Sequence, residues 1–350
     1  MRSLTLVVIG LAVASCAAPW SGTLFQGGLE LRAQEADPAR PAETPAPRTS
    51  ADPSEETAAP ADDAIRVKAL RRLDAAAAKI TEHDSIRAEL LETVSIGDRR
   101  FKVTGKYIAG KNHKLALRYR VLLGESEGIY EEICDGDVLF TVNQIKSAGP
   151  EAADKAAEKP NITRQDIKQV LAAVRDYGET PHNLAVLELG LGGLPALLGA
   201  VTQRIEFDDI REATIDGMEF TVLSGGWTPE FLKVLHGRGN AKLDDAALAE
   251  LAKQPLPEHV PDRMRLFLDS RDFPRRIQYL KRPGGDGPLT PMVTLDFVEV
   301  ILNDVVDDSE FRFEPPDGVY VNDITPQRLA ELRRAATPAT PARPAPAPPE

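Results

Sequence analysis

Between Lys114 and Leu123 the chain alternates with a period of two. Leu115, Leu117, Tyr119, Val121 and Leu123 face one way, while Lys114, Ala116, Arg118 and Arg120 face the other. One strand earlier, Phe101, Val103, Gly105 and Tyr107 alternate against Lys102, Thr104 and Lys106. Such a period over that length demands a sheet with one apolar and one wet face. The spacing predicts strands near 86–96, 99–109, 114–123, 128–134 and 138–145, turned at Gly97-Asp98 and at Asp135-Gly136-Asp137. Strands joined this tightly make a large curved antiparallel sheet, and its apolar concavity has to be covered.

The rest of the chain supplies covers and further strands. Ile65, Val67, Leu70, Leu73 and Ile80 fall at helical spacing, with Lys68, Arg71, Arg72 and Lys79 largely opposite. A second helix is expected to open at Thr163, with Asp166 three residues on and Ile167, Val170, Leu171, Val174 and Tyr177 on one face. From Leu184 to Val201 the chain is apolar nearly all round and broken by Gly190, Gly192, Gly193, Pro195 and Gly199. A segment of that kind must be buried or must cover something apolar. Strands are expected at 203–212 and 214–223, across Asp216-Gly217, and again near 263–269, 275–281 and 291–302. Short helices fit from Thr228-Pro229 to His236 and over 244–252, and a last one starts at Thr325-Pro326. The fold class is therefore α+β: a half-barrel of antiparallel strands with helices over its concave face.

Not all 350 residues can belong to that fold. Arg2 followed by the apolar stretch Leu4 to Val13 reads as an export signal over 1–18, too short to span a bilayer. Val13-Ala14-Ser15-Cys16 resembles a bacterial lipobox, in which Cys16 becomes the lipidated first residue of the mature protein. The alternative is an ordinary signal peptide cleaved near Ala18 or at Leu31-Arg32-Ala33. Residues 19–63 read as an acidic, Pro/Ala-rich linker and 336–350 as a Pro/Ala tail, both too poor in large apolar side chains to offset chain entropy. The folded unit is then 64–335, with 225–262 as an extra helical insertion. A net charge of −12 without a Lys/Arg cluster excludes nucleic acid as a partner class. Cys134 is the only cysteine besides Cys16, so disulfides do not build the fold, and its place beside Ile133 on a strand reads as a buried small hydrophobe.

Catalytic chemistry leaves little trace. His83, His113, His182, His236 and His259 are scattered without metal-pair spacing, and Gly190-Leu191-Gly192-Gly193 lacks the third glycine and the βαβ setting of a phosphate loop. The doublets Asp208-Asp209 and Asp307-Asp308, with Asp135 and Asp137, could serve acid–base chemistry or calcium, but at turns and strand ends Asp is favoured for its local backbone bonds. No cofactor and no metal site is expected.

Asp307, Ser309, Phe311, Phe313, Pro315, Pro316, Gly318 and Val319 form a terminal segment that follows the strands. Ile133, Asp135 and Gly136 mark the early hairpin, and Leu194-Pro195-Ala196-Leu197-Leu198 stands where a covering helix would begin. In this order the elements resemble the LolA-like superfamily, which includes periplasmic lipoprotein carriers, mycobacterial lipid carriers and the sensor domain of RseB-type regulators. The resemblance implies a strand ending in the Phe-x-Phe-x-Pro-Pro segment and a cavity for the acyl chains of a lipid or lipoprotein. It implies no catalysis, and a place in the periplasm or cell envelope. The cavity would be lined by Phe101, Val103, Leu115, Leu117, Tyr119 and Val121 of the sheet and Leu194, Leu197, Leu198 and Val201 of the lid. A lipid anchor at Cys16 would add a membrane contact. Two alternatives stay open. One is a regulatory protein that senses envelope lipids and docks a partner protein, favoured if 225–262 forms an exposed apolar surface. The other is a hydrolase built on the acidic doublets, which requires them to converge.

Overall fold

In a computed structural model the described residues are 59–96, 99–123, 126–147, 159–177, 193–238, 242–284 and 287–336. Helix α1 (Ala59–Glu82) leads into a meander of β1 (Ser85–Ile96), β2 (Arg99–Gly110), β3 (Lys114–Leu123), β4 (Ser126–Asp135), β5 (Val138–Ser147) and β6 (Asn161–Asp166). Helices α2 (Ile167–Tyr177) and α3 (Gly193–Arg204) follow, then β7 (Ile205–Ile215) and β8 (Met218–Trp227). Next come α4 (Pro229–Leu235), α5 (Asp245–Lys253), β9 (Arg263–Asp269), β10 (Pro274–Lys281) and β11 (Thr290–Leu302). A 3-10 turn (Asp308–Phe311), β12 (Val321–Asp323) and α6 (Thr325–Ala336) complete the described chain.

The twelve strands form one open sheet in the order β12-β6-β5-β4-β3-β2-β1-β11-β10-β9-β8-β7. Two meanders meet where β1 pairs β11, with Leu90 opposite Phe297 and Val94 opposite Val293. All pairs are antiparallel except β12 with β6. This is the α+β half-barrel expected from the alternation. The turn at Asp216-Gly217 has both residues at positive φ, 51° and 79°, the geometry that a two-residue hairpin needs. Thr228 caps α4 through the Phe231 amide at 3.4 Å, and Asp244 caps α5 through the Ala247 amide at 2.8 Å.

Two expectations change. Thr163 does not open a helix: it lies in β6, paired with Thr141 on one side and Asn322 on the other. Ladder bonds on both sides outweigh its capping tendency, and Asp166 caps α2 instead, accepting from the Gln169 amide at 2.9 Å. The Phe311-Arg312-Phe313 segment is not the end of a strand. It is a strap across the outer face of the sheet, between β11 and β12. Phe311 buries itself against Ile108 and against Ala116, which the alternation had assigned to the wet face, and Phe313 lies 5.2 Å from the Phe140 ring. Arg118 donates to the Glu310 carboxylate at 3.1 Å and to its carbonyl at 3.0 Å, and Lys114 pairs with Asp308 at 2.6 Å. The basic outer row of β3 is thus the seat of the strap. The Gly97-Asp98 turn, residues 184–192 and the side chains of Val174 and Tyr177 lie outside the described residues.

Candidate functional site: the inner face of the half-barrel

The inner face is built in rows. Val103 sits opposite Val121, Tyr107 opposite Leu117, and Ala109 opposite Leu115, so consecutive strands turn matching residues inward. Of the ten residues expected to line an interior, nine are buried in one apolar cluster: Val103, Leu115, Leu117, Tyr119, Val121, Leu194, Leu197, Leu198 and Val201, while Phe101 is half-buried against it. Residues of β2, β3 and α3 thus share one buried apolar cluster. Cys16 lies outside the described residues.

Two helices close this face, each held to the sheet by a polar anchor. Helix α3 starts at Gly193 with φ of 58°, and the Leu194 amide donates to the Tyr107 hydroxyl at 3.1 Å. A side chain at 193 would bring its Cβ to 2.6 Å from that hydroxyl, so the close approach needs glycine. Burial pushes the Tyr107 hydroxyl up to about 12, despite the amide bond. The Tyr107 ring meets Phe297 edge-on at 6.0 Å, which in turn meets Phe273 at 6.0 Å. Helix α1 lays Ala69, Leu73, Ala76 and Ile80 on the same cluster. Its Arg72 and Lys79, two turns apart on one face, reach Asp272 at 2.7 and 2.5 Å. The Arg72 approach is a charge contact without hydrogen-bond geometry, because the facing Asp272 oxygen makes no hydrogen bond. Between α3 and the far strands, Leu197, Ala200, Val201, Ile205, Trp227 and Met264 border a void of about 10 Å³, room for a single water.

A polar cluster interrupts the apolar rows. Tyr119 and Tyr130 are direct cross-strand partners, as are Leu117 and Glu132, so all four side chains face inward. The Tyr130 hydroxyl donates to the Glu132 carboxylate. Tyr119 lies over Gly105, whose absent Cβ would sit 2.8 Å from the ring. Glu92 on β1 is 1% exposed on the same face. Burial raises Glu132 to about 7, against the opposing effect of the Tyr130 bond. Sequence reasoning missed this cluster, although period two on β4 already places Tyr130, Glu132 and Cys134 on one face. Cys134 is buried, and burial lifts its thiol to about 11, which keeps it protonated and inert.

The acidic doublets do not meet. Asp208, at a bulge in β7, pairs with Arg263. Asp307 caps the 3-10 turn through the Ser309 amide at 2.8 Å, and Asp135 accepts from the Asp137 and Val138 amides, both at 2.8 Å. Among the described residues no three His, Cys, Asp or Glu side chains gather as for a metal. Nor is any described helix long and apolar enough to cross a membrane.

No family model matches the chain, and no curated protein does. Solved structures similar to it include MucB, at 10% identity over 71% of this chain and 63% of that one, with a TM-score of 0.33. LprF of Mycobacterium bovis is similar at 11% identity over 69% and 95%, TM-score 0.32. The lipoprotein LppX of Mycobacterium tuberculosis matches at 11% over 69% and 98%, TM-score 0.33. The chain thus spans less than two thirds of the MucB chain. At TM-scores this low the likeness carries no argument about ligand or partner.

Proposed function

We propose that this chain is an exported, non-catalytic binding protein that holds the acyl chains of a lipid or lipoprotein within the half-barrel. One observation supports the reading above the rest: an apolar face contributed by most strands of the sheet is closed by two helices, each with a polar anchor of its own. Acyl chains entering such an interior gain about 0.8 kcal/mol per buried methylene. Among the described residues the void beneath α3 has room for one water, so a chain entering there would displace α3 outward and exchange helix contacts for ligand contacts. Export over residues 1–18, lipidation of Cys16 and an acidic spacer ahead of α1, which already begins at Ala59, belong to this reading. Together they place the domain in the cell envelope, tethered to a membrane.

The regulatory alternative rested on an exposed apolar surface at 225–262. Residues 225–227 belong to β8, and α4 and α5 turn Phe231 and Leu251 inward, with Phe231 5.1 Å from the Trp227 ring. That segment offers no argument for docking. Uptake of a fluorescent fatty-acid analogue by the purified protein, with mass spectrometry of lipids retained on purification, tests the proposal. Saturable uptake with a co-purified lipid is expected. No uptake and no retained lipid would leave a closed scaffold in its place.

A further inference from the structure

The polar cluster on the inner face has no task in an interior that handles acyl chains alone. Tyr119 is 2% exposed, and its buried hydroxyl has no hydrogen-bond partner. A buried phenol left unpaired costs free energy that a phenylalanine at the same position would avoid. Beside it stands Glu132, already bonded by Tyr130, and the buried Glu92 faces the same interior from β1. The register puts Glu132 two residues from Tyr130, the direct partner of Tyr119, and Glu92 opposite Val103 on the same face, and burial and both carboxyl groups push the Tyr119 hydroxyl upward. Glu132 also acts on Tyr130 and on the Cys134 thiol, so the titratable groups facing it are Tyr119, Tyr130 and Cys134. The described anchors with positive charge, Arg72 and Lys79, engage Asp272 rather than this cluster.

We propose that Tyr119, Tyr130 and Glu132 form a headgroup site inside the half-barrel that takes an ammonium group carried on an acyl or alkyl chain. An ammonium brings three donors and no acceptor. It can donate to the lone pairs of the Tyr119 oxygen and to the free oxygen of Glu132 at once, while its chain lies along the Val103–Val121 row. A carboxylate or phosphate in that position would meet acidic groups in a low-dielectric interior, which disfavours it. A neutral hydroxyl would satisfy Tyr119 but leave the carboxylate without a counter-charge. The site rests on the acyl-binding reading and adds to it a choice among headgroups.

Competition at pH 8 between a fluorescent acyl probe and dodecylamine, dodecanol or dodecanoate tests the choice, using the wild type, Glu132→Gln and Tyr119→Phe. The amine should displace the probe at about tenfold lower concentration than dodecanoate, since charge-assisted bonds replace like-charge contacts. Glu132→Gln should erase that preference. Tyr119→Phe should weaken amine binding while raising the melting temperature, because it removes an unpaired buried group, and a purely structural tyrosine would not separate the two readouts. Equal displacement by all three amphiphiles, or an amine preference that survives Glu132→Gln, overturns the headgroup site and leaves acyl binding standing. A dodecanol affinity equal to that of the amine overturns the charge recognition. Failure of the wild type to take up any probe removes both readings together.

Discussion

Replacing Asp272 by Asn should loosen α1 without disturbing the turn that carries it. Asp272 lies in the left-handed region, φ 66°, between β9 and β10, a conformation that Asn tolerates as well as Asp does. The substitution therefore removes the charge and leaves the backbone alone. Breaking a fully buried ion pair costs about 3–5 kcal/mol. Here the carboxylate side chain is 4% exposed, but Arg72 and Lys79 are 40% and 48% exposed and regain water once released. Discounting for that rehydration leaves roughly 1–2 kcal/mol for the two contacts together. In a domain of this size the melting temperature should fall by about 3–6 °C. If α1 gates the interior, the same free energy raises the open population, and the uptake rate of a fluorescent fatty acid in stopped flow should rise about tenfold. Added salt should speed uptake in the wild type and narrow the gap, since the half-exposed partners are screened. A lower melting temperature with an unchanged uptake rate would refute the gating argument and leave α1 as a fastened part of the core.

Tyr107→Phe removes the acceptor for the Leu194 amide, costing about 1 kcal/mol, and hydrogen exchange over the first turn of α3 should rise most. Gly136→Val should destabilise by more than about 3 kcal/mol in urea unfolding, because φ is 101° and the new Cβ would stand 2.5 Å from the Asn112 carbonyl oxygen. Asp137→Asn loses only an exposed bridge to Lys168 and should shift the same transition by about 0.5 kcal/mol or less. The raised Glu132 makes stability pH-dependent with a definite sign. Native protein holds that proton more tightly than the unfolded chain, so this group's contribution is full below about 4.5 and is lost as pH rises towards about 7. Because part of Glu132 still meets solvent, roughly 3 kcal/mol is the ceiling of that loss. Glu132→Gln should abolish this component when urea midpoints are compared across the window, and an identical pH profile in wild type and variant would contradict the burial argument.

Features that depend on neighbours along the chain were legible before any fold was known. Period two in β2 and β3 assigned Val103, Leu117 and Val121 to one face, and that face is the interior. Asp216-Gly217, Thr228-Pro229 and Asp135-Gly136 marked their turns and caps because the backbone at those positions admits few residue types. Features that depend on register and on distant partners emerged only when the strands met. That β11 closes on β1, joining two meanders into one sheet, follows from which apolar rows match across the seam, and no local pattern encodes it. The strap illustrates the same limit. Phe311 and Phe313 look like strand residues in isolation, yet the outer face at Ala116 and Phe140 offered them burial that a ladder would not. Thr163 became part of a strand for a related reason, since β5 and β12 supply partners from both sides. Glu132 entered the interior because pairing with Leu117 aims it there. A charge in the sequence names a side chain but not its surroundings, and it is the surroundings that turn a surface acid into a recognition group.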